Sequence, residues 1–117
     1  MELKSECLFC RIIERKIPAK VIYENEKVLA FHDINPQAPV HIIVIPKNHI
    51  ERVSDLKREN AGWGDELILA ANKIASDLEI KDSGYRLIIN CNKDAGQAVF
   101  HLHLHLLGGR KMAWPPG

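Results

Sequence analysis

The length, composition and charge of the chain exclude several classes of protein. Its 117 residues suffice for one domain with a buried core. With 16 basic and 15 acidic residues the formal net charge is +1, and no run of like charge indicates binding to nucleic acid or to an anionic membrane. No apolar stretch approaches the roughly 20 residues that span a bilayer, and the N-terminal residues lack a signal-peptide pattern. We therefore expect a single domain over residues 1–117 in a cytoplasmic protein.

The first predicted element is a short helix near the N-terminus. Apolar residues at helical spacing predict it over residues 6–16, with Glu2 or Ser5 at its start. Pro18 disfavours the helical conformation of the residue before it, so the helix is expected to end near Lys16.

Five strands and one long helix are predicted in the remainder of the chain. Period-two patterns and turn residues predict strands at residues 21–24, 27–33, 40–45, 85–91 and 99–107. An apolar stripe at a spacing of 3.6 residues predicts a long helix at residues 61–79. Because consecutive strands with short connections favour antiparallel pairing, we expect an α+β domain whose helices pack on a five-stranded antiparallel sheet.

Histidine and large apolar residues alternate in the last predicted strand. One face is expected to carry His101, His103 and His105, and the opposite face Phe100, Leu102, Leu104 and Leu106. Side chains on one face of a strand are about 6.6 Å apart, close enough for three imidazoles to act on one substrate. A half-exposed strand or a row of metal ligands would explain the pattern too, but three of the six histidines of the chain fall here, which favours chemistry.

Cys7 and Cys10 form a Cys-x-x-Cys motif one helical turn apart, while Cys91 is predicted to be a small buried hydrophobe. In a reducing compartment such a pair is more often a metal or redox site than a disulfide. A redox pair at a helix N-terminus has a lowered thiol pKa, although thioredoxin-like folds place the motif after a strand and none is predicted here. A zinc site requires two further N or S ligands. Metal binding, redox chemistry and a reduced, unliganded pair all remain open from the motif.

The histidine segment resembles the His-x-His-x-His-x-x signature of the histidine triad (HIT) superfamily, with apolar residues at the x positions from His101 to Leu107. Further segments look like the nucleotide-binding branch of that superfamily. These segments are Phe31–Ile34, Pro36–His41, Pro46–His49, Asn90, Gly96–Gln97, Gly108–Arg110 and Trp114–Gly117. The resemblance covers nearly the whole chain.

The resemblance implies a homodimer whose two sheets join into one, and hydrolysis of purine nucleoside phosphoramidates. It implies that His103 attacks the α-phosphorus, that His105 donates to the phosphate, and that His101 and His41 support the nucleophile. Two alternatives are a nucleotide-binding regulatory or scaffold protein with incidental turnover, and a dinucleoside polyphosphate hydrolase. The ending from Trp114 to Gly117 favours the phosphoramidase branch over the polyphosphate hydrolases.

The resemblance also implies a set of substrate contacts. Asp33 would bind the ribose hydroxyls, and an apolar base pocket would comprise Phe9, Ile12, Phe31, Ile34 and Ile43. Asn90 would serve the site, the backbone N–H groups of Gly96 and Gln97 would bind phosphate oxygens, and Trp114 would reach towards the partner subunit's site. For the apolar residues an ordinary core is the alternative, and for Asp33 a turn cap. Ala98 departs from the branch, which has a serine there that binds near the leaving group.

For the cysteine motif, the resemblance implies zinc bound by Cys7, Cys10, His49 and His101. The metal would be structural, since it would tie the N-terminal helix to the sheet and leave the chemistry to His103. No cofactor would be required for catalysis.

Overall fold

Two helices pack on opposite faces of one antiparallel sheet in the computed structural model of the protein, which describes residues 3–117. The helices are α1 (Leu8–Ile13) and α2 (Gly62–Asp77), and short 3-10 turns lie at Val53–Asp55 and Lys93–Ala95. The strands are β1 (Val21–Glu24), β2 (Val28–His32), β3 (Val40–Pro46), β4 (Tyr85–Ile88) and β5 (Leu104–Gly108). They pair in the order β1-β2-β3-β5-β4, and every pair is antiparallel. The predicted α+β fold with a five-stranded antiparallel sheet is confirmed.

The central strands bury both of their faces because a helix covers each side of the sheet. In β3, Ile42 and Val44 belong to the core under α2, whereas Ile43 and Ile45 belong to the core under α1. This explains why β3 is an almost continuous apolar run. Neither helix in residues 3–117 has the length and apolar character needed to cross a bilayer.

Histidines replace apolar residues where β3 and β5 face α1. His41 has the same strand parity as Ile43 and so lies on the α1 face, and Ile43 is paired with His105 across the ladder. On the other face of β5, Leu104 and Leu106 are buried under α2. The predicted separation of an apolar face from a histidine face therefore holds in β5.

The histidine strand begins later than predicted. β5 starts at Leu104 rather than at residue 99, so His101 and His103 lie in an extended segment before it. The register would bring Leu102 opposite Pro46, which has no N–H to donate, and the Leu102 N–H donates instead to the carbonyl of Ile50 (2.6 Å). Leu102 still packs under α2, but Phe100, predicted on the same apolar face, is 43% exposed and lies beside the guanidinium of Arg52.

The N-terminal helix is shorter than the predicted residues 6–16. Its N-cap is Cys7, whose Sγ accepts the N–H of Cys10 (3.4 Å), and not Ser5; Glu2 lies outside the described residues. Arg15 adopts a left-handed conformation (φ 63°) directly after the C-cap, which ends the helix before Pro18 can do so.

The other predicted elements lie within a few residues of the observed ones. Glu79 has a φ of 59° and ends α2 two residues earlier than predicted. β4 ends at Ile88 rather than at residue 91. Cys91 is consequently half-buried, with its thiol donating to Ser54 Oγ (3.4 Å), and the prediction of a buried hydrophobe there is wrong.

Candidate active site and metal centre

Four histidines meet on the α1 face of the sheet. The rings of His41 and His105 have centroids 5.1 Å apart, and so do the rings of His103 and His105. Phe9 of α1 contacts both His101 and His103 edge-on, at 6.0 and 5.1 Å. The structure thus brings together all four histidines that were predicted to take part in catalysis.

His103 has one ring nitrogen committed to the backbone. Its Nδ1 lies 2.7 Å from the carbonyl oxygen of His101, so Nδ1 carries the proton that is donated there. Burial lowers the pKa of His103, which keeps the ring neutral near pH 7. A neutral imidazole with Nδ1–H has its lone pair on Nε2, and that nitrogen is available as a nucleophile.

His41 and His105 form a relay whose proton positions follow from their partners. The backbone N–H of Gln37 donates to His41 Nδ1 (3.0 Å), so a neutral His41 carries its proton on Nε2. That nitrogen lies 2.9 Å from His105 Nδ1 and 3.3 Å from Asp33 Oδ2. His105 therefore accepts at Nδ1 and carries its own proton on Nε2.

Burial keeps this relay neutral. It lowers the pKa of His105 to about 4, with further lowering by His103 and His41, and it lowers the pKa of His41 against the opposing effect of Asp33. Two neutral imidazoles can donate and accept hydrogen bonds in series, whereas two imidazolium ions at this distance would repel each other.

An apolar cavity of about 310 Å³ lies between α1 and strands β2 and β3. Its wall includes the buried side chains that were predicted to form a base pocket: Phe9, Ile12, Phe31 and Ile43. Ile34 lines the rim and is fully exposed, and Asp33 is the acidic group at the mouth. The cavity has the size and apolar character of a small-molecule site.

The side chain of Gln97 is committed to the protein and not to a ligand. Its Oε1 accepts the N–H of Asn92 (2.9 Å), and its Nε2 donates to the carbonyls of Glu51 (2.7 Å) and Val99 (3.1 Å). Gln97 therefore ties the loop before the histidine segment to the segment that follows β3. Sequence reasoning missed this role because all three partners are backbone groups.

The N–H groups of Gly96 and Gln97 are also engaged within their own loop. They donate to the carbonyls of Lys93 (3.0 Å) and Asn92 (3.1 Å), respectively. Gly96 is left-handed (φ 79°) and closes the 3-10 turn. The prediction that these two N–H groups bind phosphate oxygens needs correction, since this turn already uses them.

Two further predicted contacts lie outside β3 and the histidine segment. Asn90 is half-buried two residues after β4 ends. Trp114 is 81% exposed, and the guanidinium of Arg86 on β4 lies 5.9 Å from its ring centroid. Within this one chain, Trp114 is not joined to the histidines.

A second cluster on the α1 face has the composition of a metal centre. The ligand atoms of Cys7, Cys10, His49 and His101 all lie within 4.8 Å of one another. Cys10 Sγ is 3.2 Å from His49 Nδ1 and 3.5 Å from His101 Nδ1, and the two Nδ1 atoms are 3.2 Å apart. Cys7 Sγ is 3.4 Å from His101 Nδ1. A Cys₂His₂ set of this kind could hold one metal ion.

The spacing and protonation of this cluster fit a tetrahedral ion. With bonds of about 2.3 Å to sulfur and about 2.0 Å to nitrogen, tetrahedral zinc separates its ligand atoms by about 3.3–3.8 Å. His101 donates Nε2–H to the carbonyl of Pro46 (2.9 Å), which leaves a lone pair on Nδ1 aimed at the cluster. Burial lowers the pKa of His101 to about 4 and raises that of Cys10 to about 11, so the pocket disfavours charge unless a cation compensates it.

Gln37 and Arg110 contribute to the surroundings of His41 in a way that sequence analysis missed. Gln37 bonds to His41 through its backbone, and Arg110 bonds to the backbone of Gln37 through its guanidinium. In the sequence, Arg110 stands out only as part of the segment Gly108–Arg110, which resembles the family. No pattern in the sequence links it to His41, because the link passes through main-chain atoms.

Comparison with known proteins identifies the family. A family model described as HIT domain matches residues 14–112. An uncharacterised HIT-like protein of Synechocystis sp. is 47% identical over 115 residues, covering 98% of this chain and all of that protein.

Two solved structures agree with this result. A HIT family hydrolase of Legionella pneumophila is 46% identical with a TM-score of 0.93, covering 96% of this chain and all of that one. A HIT family hydrolase of Clostridium thermocellum is 52% identical with a TM-score of 0.91, covering 94% and 96%. Cys7 and Cys10 precede the residues that the family model matches, whereas the histidine cluster lies within them. On fold, histidine geometry and sequence together, this chain belongs to the HIT family.

Proposed function

We propose that the protein hydrolyses the P–N bond of purine nucleoside 5′-phosphoramidates through a nucleotidyl intermediate on His103. The observation that carries the proposal is the 2.7 Å contact of His103 Nδ1 with the His101 carbonyl, which directs the lone pair of a neutral ring to Nε2. Two solved relatives are named HIT family hydrolases, which supports hydrolysis as the reaction class.

In the first step, His103 Nε2 attacks the α-phosphorus. A bond forms between Nε2 and phosphorus, the bond from phosphorus to the leaving nitrogen breaks, and the departing amine takes up a proton. Negative charge on the non-bridging oxygens is stabilised by a hydrogen bond from His105 Nε2–H. His41 keeps that proton in place by donating to His105 Nδ1.

In the second step, water attacks the same phosphorus and breaks its bond to His103. The water loses a proton, the nucleoside monophosphate leaves, and His103 is again neutral with its lone pair on Nε2. The bond to the His101 carbonyl holds the ring in one orientation through both steps.

The nucleoside is proposed to occupy the apolar cavity between α1 and the sheet. The purine would pack among the buried side chains Phe9, Ile12, Phe31 and Ile43, with Ile34 at the rim. Asp33 uses Oδ1 to accept the N–H of Asn35 (2.8 Å), and a carboxylate retains lone pairs for the two ribose hydroxyls. Asn90 and Trp114 complete the proposed set of substrate contacts.

We propose that the Cys₂His₂ cluster binds zinc with a structural role. The ion would join α1 to the segment that carries His101, two residues before the nucleophile. Zinc suits a site of two thiolates and two imidazoles with no open position. It would hold the nucleophile's segment in place, and no step of the reaction passes through it.

A homodimer is proposed from the free edge of β4 and the outer face of α2. β4 is the last strand of the sheet, so its outer edge is unpaired in one chain, and Ile68 and Leu69 of α2 are exposed. Pairing of two β4 edges would join the sheets and bring Trp114 of one subunit towards the other. Sedimentation at micromolar concentration tests this, and a monomer would contradict it.

Release of AMP from adenosine 5′-phosphoramidate by the wild type and by His103→Ala tests the proposed reaction. We expect turnover by the wild type and a loss of more than about 1,000-fold in the variant, because the nucleophile is gone. Diadenosine triphosphate serves as the competing substrate. Faster turnover of that compound would favour a polyphosphate hydrolase, and nucleotide binding without turnover of either would favour a regulatory protein.

A further inference from the structure

Arg110 binds the loop that connects β2 to β3. Its Nε and Nη2 both donate to the carbonyl of Gln37 (3.2 and 3.1 Å), and its Nη1 donates to the carbonyl of Lys111 (3.0 Å). Two donors of one planar guanidinium on a single oxygen set the direction of that oxygen. The guanidinium of Arg110 thus acts as a two-donor fork that binds the Gln37 carbonyl from outside the histidine cluster.

The loop itself is closed at its base, and Arg110 binds it near its tip. Its first and last residues are joined by the N–H of Asp33 and the carbonyl of His41 (3.0 Å), next to the sheet. Gln37 lies between them and is exposed. Its remaining contact within the loop is the bond from its Nε2 to the carbonyl of Asn35 (3.0 Å).

The same residue sets the tautomer of the buried relay. The N–H of Gln37 meets His41 Nδ1 at 3.0 Å, and two N–H groups cannot face each other at that distance, so the proton of His41 stays on Nε2. From Nε2 it is donated to His105 Nδ1, which leaves the proton of His105 on Nε2. On the other side of the ring, Asp33 Oδ2 lies 3.3 Å from His41 Nε2, so the Gln37 N–H and this carboxylate together decide which nitrogen of His105 is a donor.

We infer that Arg110 is a positioning residue for catalysis: by holding Gln37 it keeps His41 and His105 in the tautomers that leave His105 Nε2–H as a donor. The link to catalysis rests on the proposed reaction, in which that donor stabilises the phosphate oxygens. Arg110 touches neither histidine and acts through main-chain atoms.

The consequence of losing the fork follows from the two tautomers of the relay. When Gln37 withdraws its N–H, Asp33 Oδ2 alone favours the proton on Nε2, and a part of the molecules carries it on Nδ1 of His41. His41 Nε2 then becomes an acceptor, His105 turns its proton to Nδ1, and His105 Nε2 presents a lone pair to an anionic phosphate. Such molecules bind substrate but lack the donor, so kcat falls with the population of the correct tautomer.

The test compares Arg110→Lys and Arg110→Ala with the control Arg15→Lys. Lysine keeps the positive charge of Arg110 but cannot place two donors of a rigid fork on one oxygen. Arg15 is an exposed arginine paired with Glu24, away from the loop. One measurement is the ¹⁵N spectrum of the imidazoles, which identifies the protonated nitrogen of each ring, with assignments from His41→Asn and His105→Asn. The other is kcat and KM for adenosine 5′-phosphoramidate.

We expect the wild type and Arg15→Lys to carry the protons of His41 and His105 on Nε2. In both Arg110 variants we expect a second tautomer of His41 and His105, with a fall in kcat of about tenfold, below the hundredfold typical of removing an oxyanion donor outright. KM should stay within about twofold. Circular dichroism checks that each variant is folded, and the milder Arg110→Lys decides the matter if Arg110→Ala does not fold.

Two results would overturn the inference. One is a wild-type His41 with its proton on Nδ1, and the other is an Arg110→Lys variant with unchanged tautomers. A loss of kcat in that second case would mean that Arg110 acts on the fold alone. Because the spectrum needs no turnover, failure of the phosphoramidase proposal would leave this test intact and would be recognised separately.

Discussion

Two clusters of histidines lie side by side on the α1 face, and they differ in where their protons are. In the Cys₂His₂ cluster, His101 donates a hydrogen bond from Nε2–H to the Pro46 carbonyl. Its Nδ1 therefore carries only a lone pair, and it faces two sulfur atoms and the Nδ1 of His49. In the relay, every contact between His41, His105 and Gln37 pairs one N–H with one lone pair. In the first cluster burial disfavours charge unless a cation compensates it, whereas the second is complete when neutral.

The difference shows that residue type does not set the role of a histidine. His101 and His105 are four residues apart and point to the same side of the sheet, yet one faces two cysteine sulfurs and the other is the donor of the proposed reaction. The deciding feature is the partner of one ring nitrogen: Nε2 of His101 meets the Pro46 carbonyl, whereas Nδ1 of His105 meets His41. This predicts that the two clusters separate stability from catalysis, which variants can test.

The largest expected effect is on stability, at the metal cluster. Cys10→Ser removes a buried ligand, and we expect the free energy of unfolding to fall by about 4 kcal/mol or more because the metal no longer stabilises the folded state. Cys91→Ser is the matched control, since Cys91 lies outside the cluster and should cost about 1 kcal/mol at most. Urea denaturation and metal analysis measure both. Equal stability of the two variants, or wild-type protein with far less than one equivalent of zinc, would contradict the metal assignment.

At the relay we expect a smaller effect in free energy, and we expect it on catalysis and not on stability. His105→Gln removes the donor of the proposed reaction, so kcat should fall about 100-fold, equivalent to about 2.7 kcal/mol. The free energy of unfolding should change by less than about 1.5 kcal/mol, because glutamine fills much of the same space. Kinetics and urea denaturation of one preparation give both values. If His105→Gln unfolded readily but kept its kcat, His105 would serve the stability of the fold and not catalysis.

The relay also predicts a dependence of stability on pH. Burial lowers the pKa of His105 to about 4 in the folded protein, against about 6.5 in an unfolded chain. As the pH falls from about 6.5 to about 4, the unfolded chain binds a proton that the native state does not, and the stability present above this range is lost. Over this range the wild type should lose about 2 kcal/mol more than His105→Gln. Denaturation curves at several pH values test this, and parallel losses would refute it.

The smallest effect is expected at position 98, which the family resemblance places near the leaving group. Ala98 is exposed on the wall of a second cavity of about 360 Å³, beside Leu8 and Phe100. Ala98→Ser adds a hydroxyl that can assist the departing amine, and we expect kcat/KM to rise about two- to fivefold, the value of one modest hydrogen bond. Ala95→Ser, an exposed change in the same loop, is the control and should leave kcat/KM unchanged. If neither variant alters the rate, position 98 has no part in the reaction.

Local sequence patterns were sufficient for most of the fold. The short apolar run of residues 40–45 and the stripe of α2 predicted those elements to within two residues, because such patterns reflect burial in the sheet or on one helix face. The predictions failed at ends that depend on neighbours. β5 begins at Leu104 because the N–H of Leu102 bonds to the carbonyl of Ile50 and not to the adjacent strand, and α1 ends at a left-handed Arg15 that its own sequence does not mark.

The site was predictable where the signal lay in side chains and unpredictable where it lay in the main chain. The spacing of the triad, the cysteine motif and His41 all pointed to residues that the structure brings together. The positions of Gln97 and Arg110 did not, because both act on backbone groups of distant loops. The N–H groups of Gly96 and Gln97 were expected to bind phosphate oxygens, but they donate to carbonyl groups of their own turn.

By itself, the sequence determined the sheet, the two helices and a face of histidines opposed to a face of leucines, because burial imposes a periodic pattern on the chain. Only the tertiary structure decided that His101 turns Nδ1 towards two cysteines while His105 turns Nδ1 towards His41. An imidazole can present either nitrogen to either kind of partner. The backbone carbonyls and N–H groups that remove this ambiguity come from residues far apart in the chain, and only folding brings them to the rings.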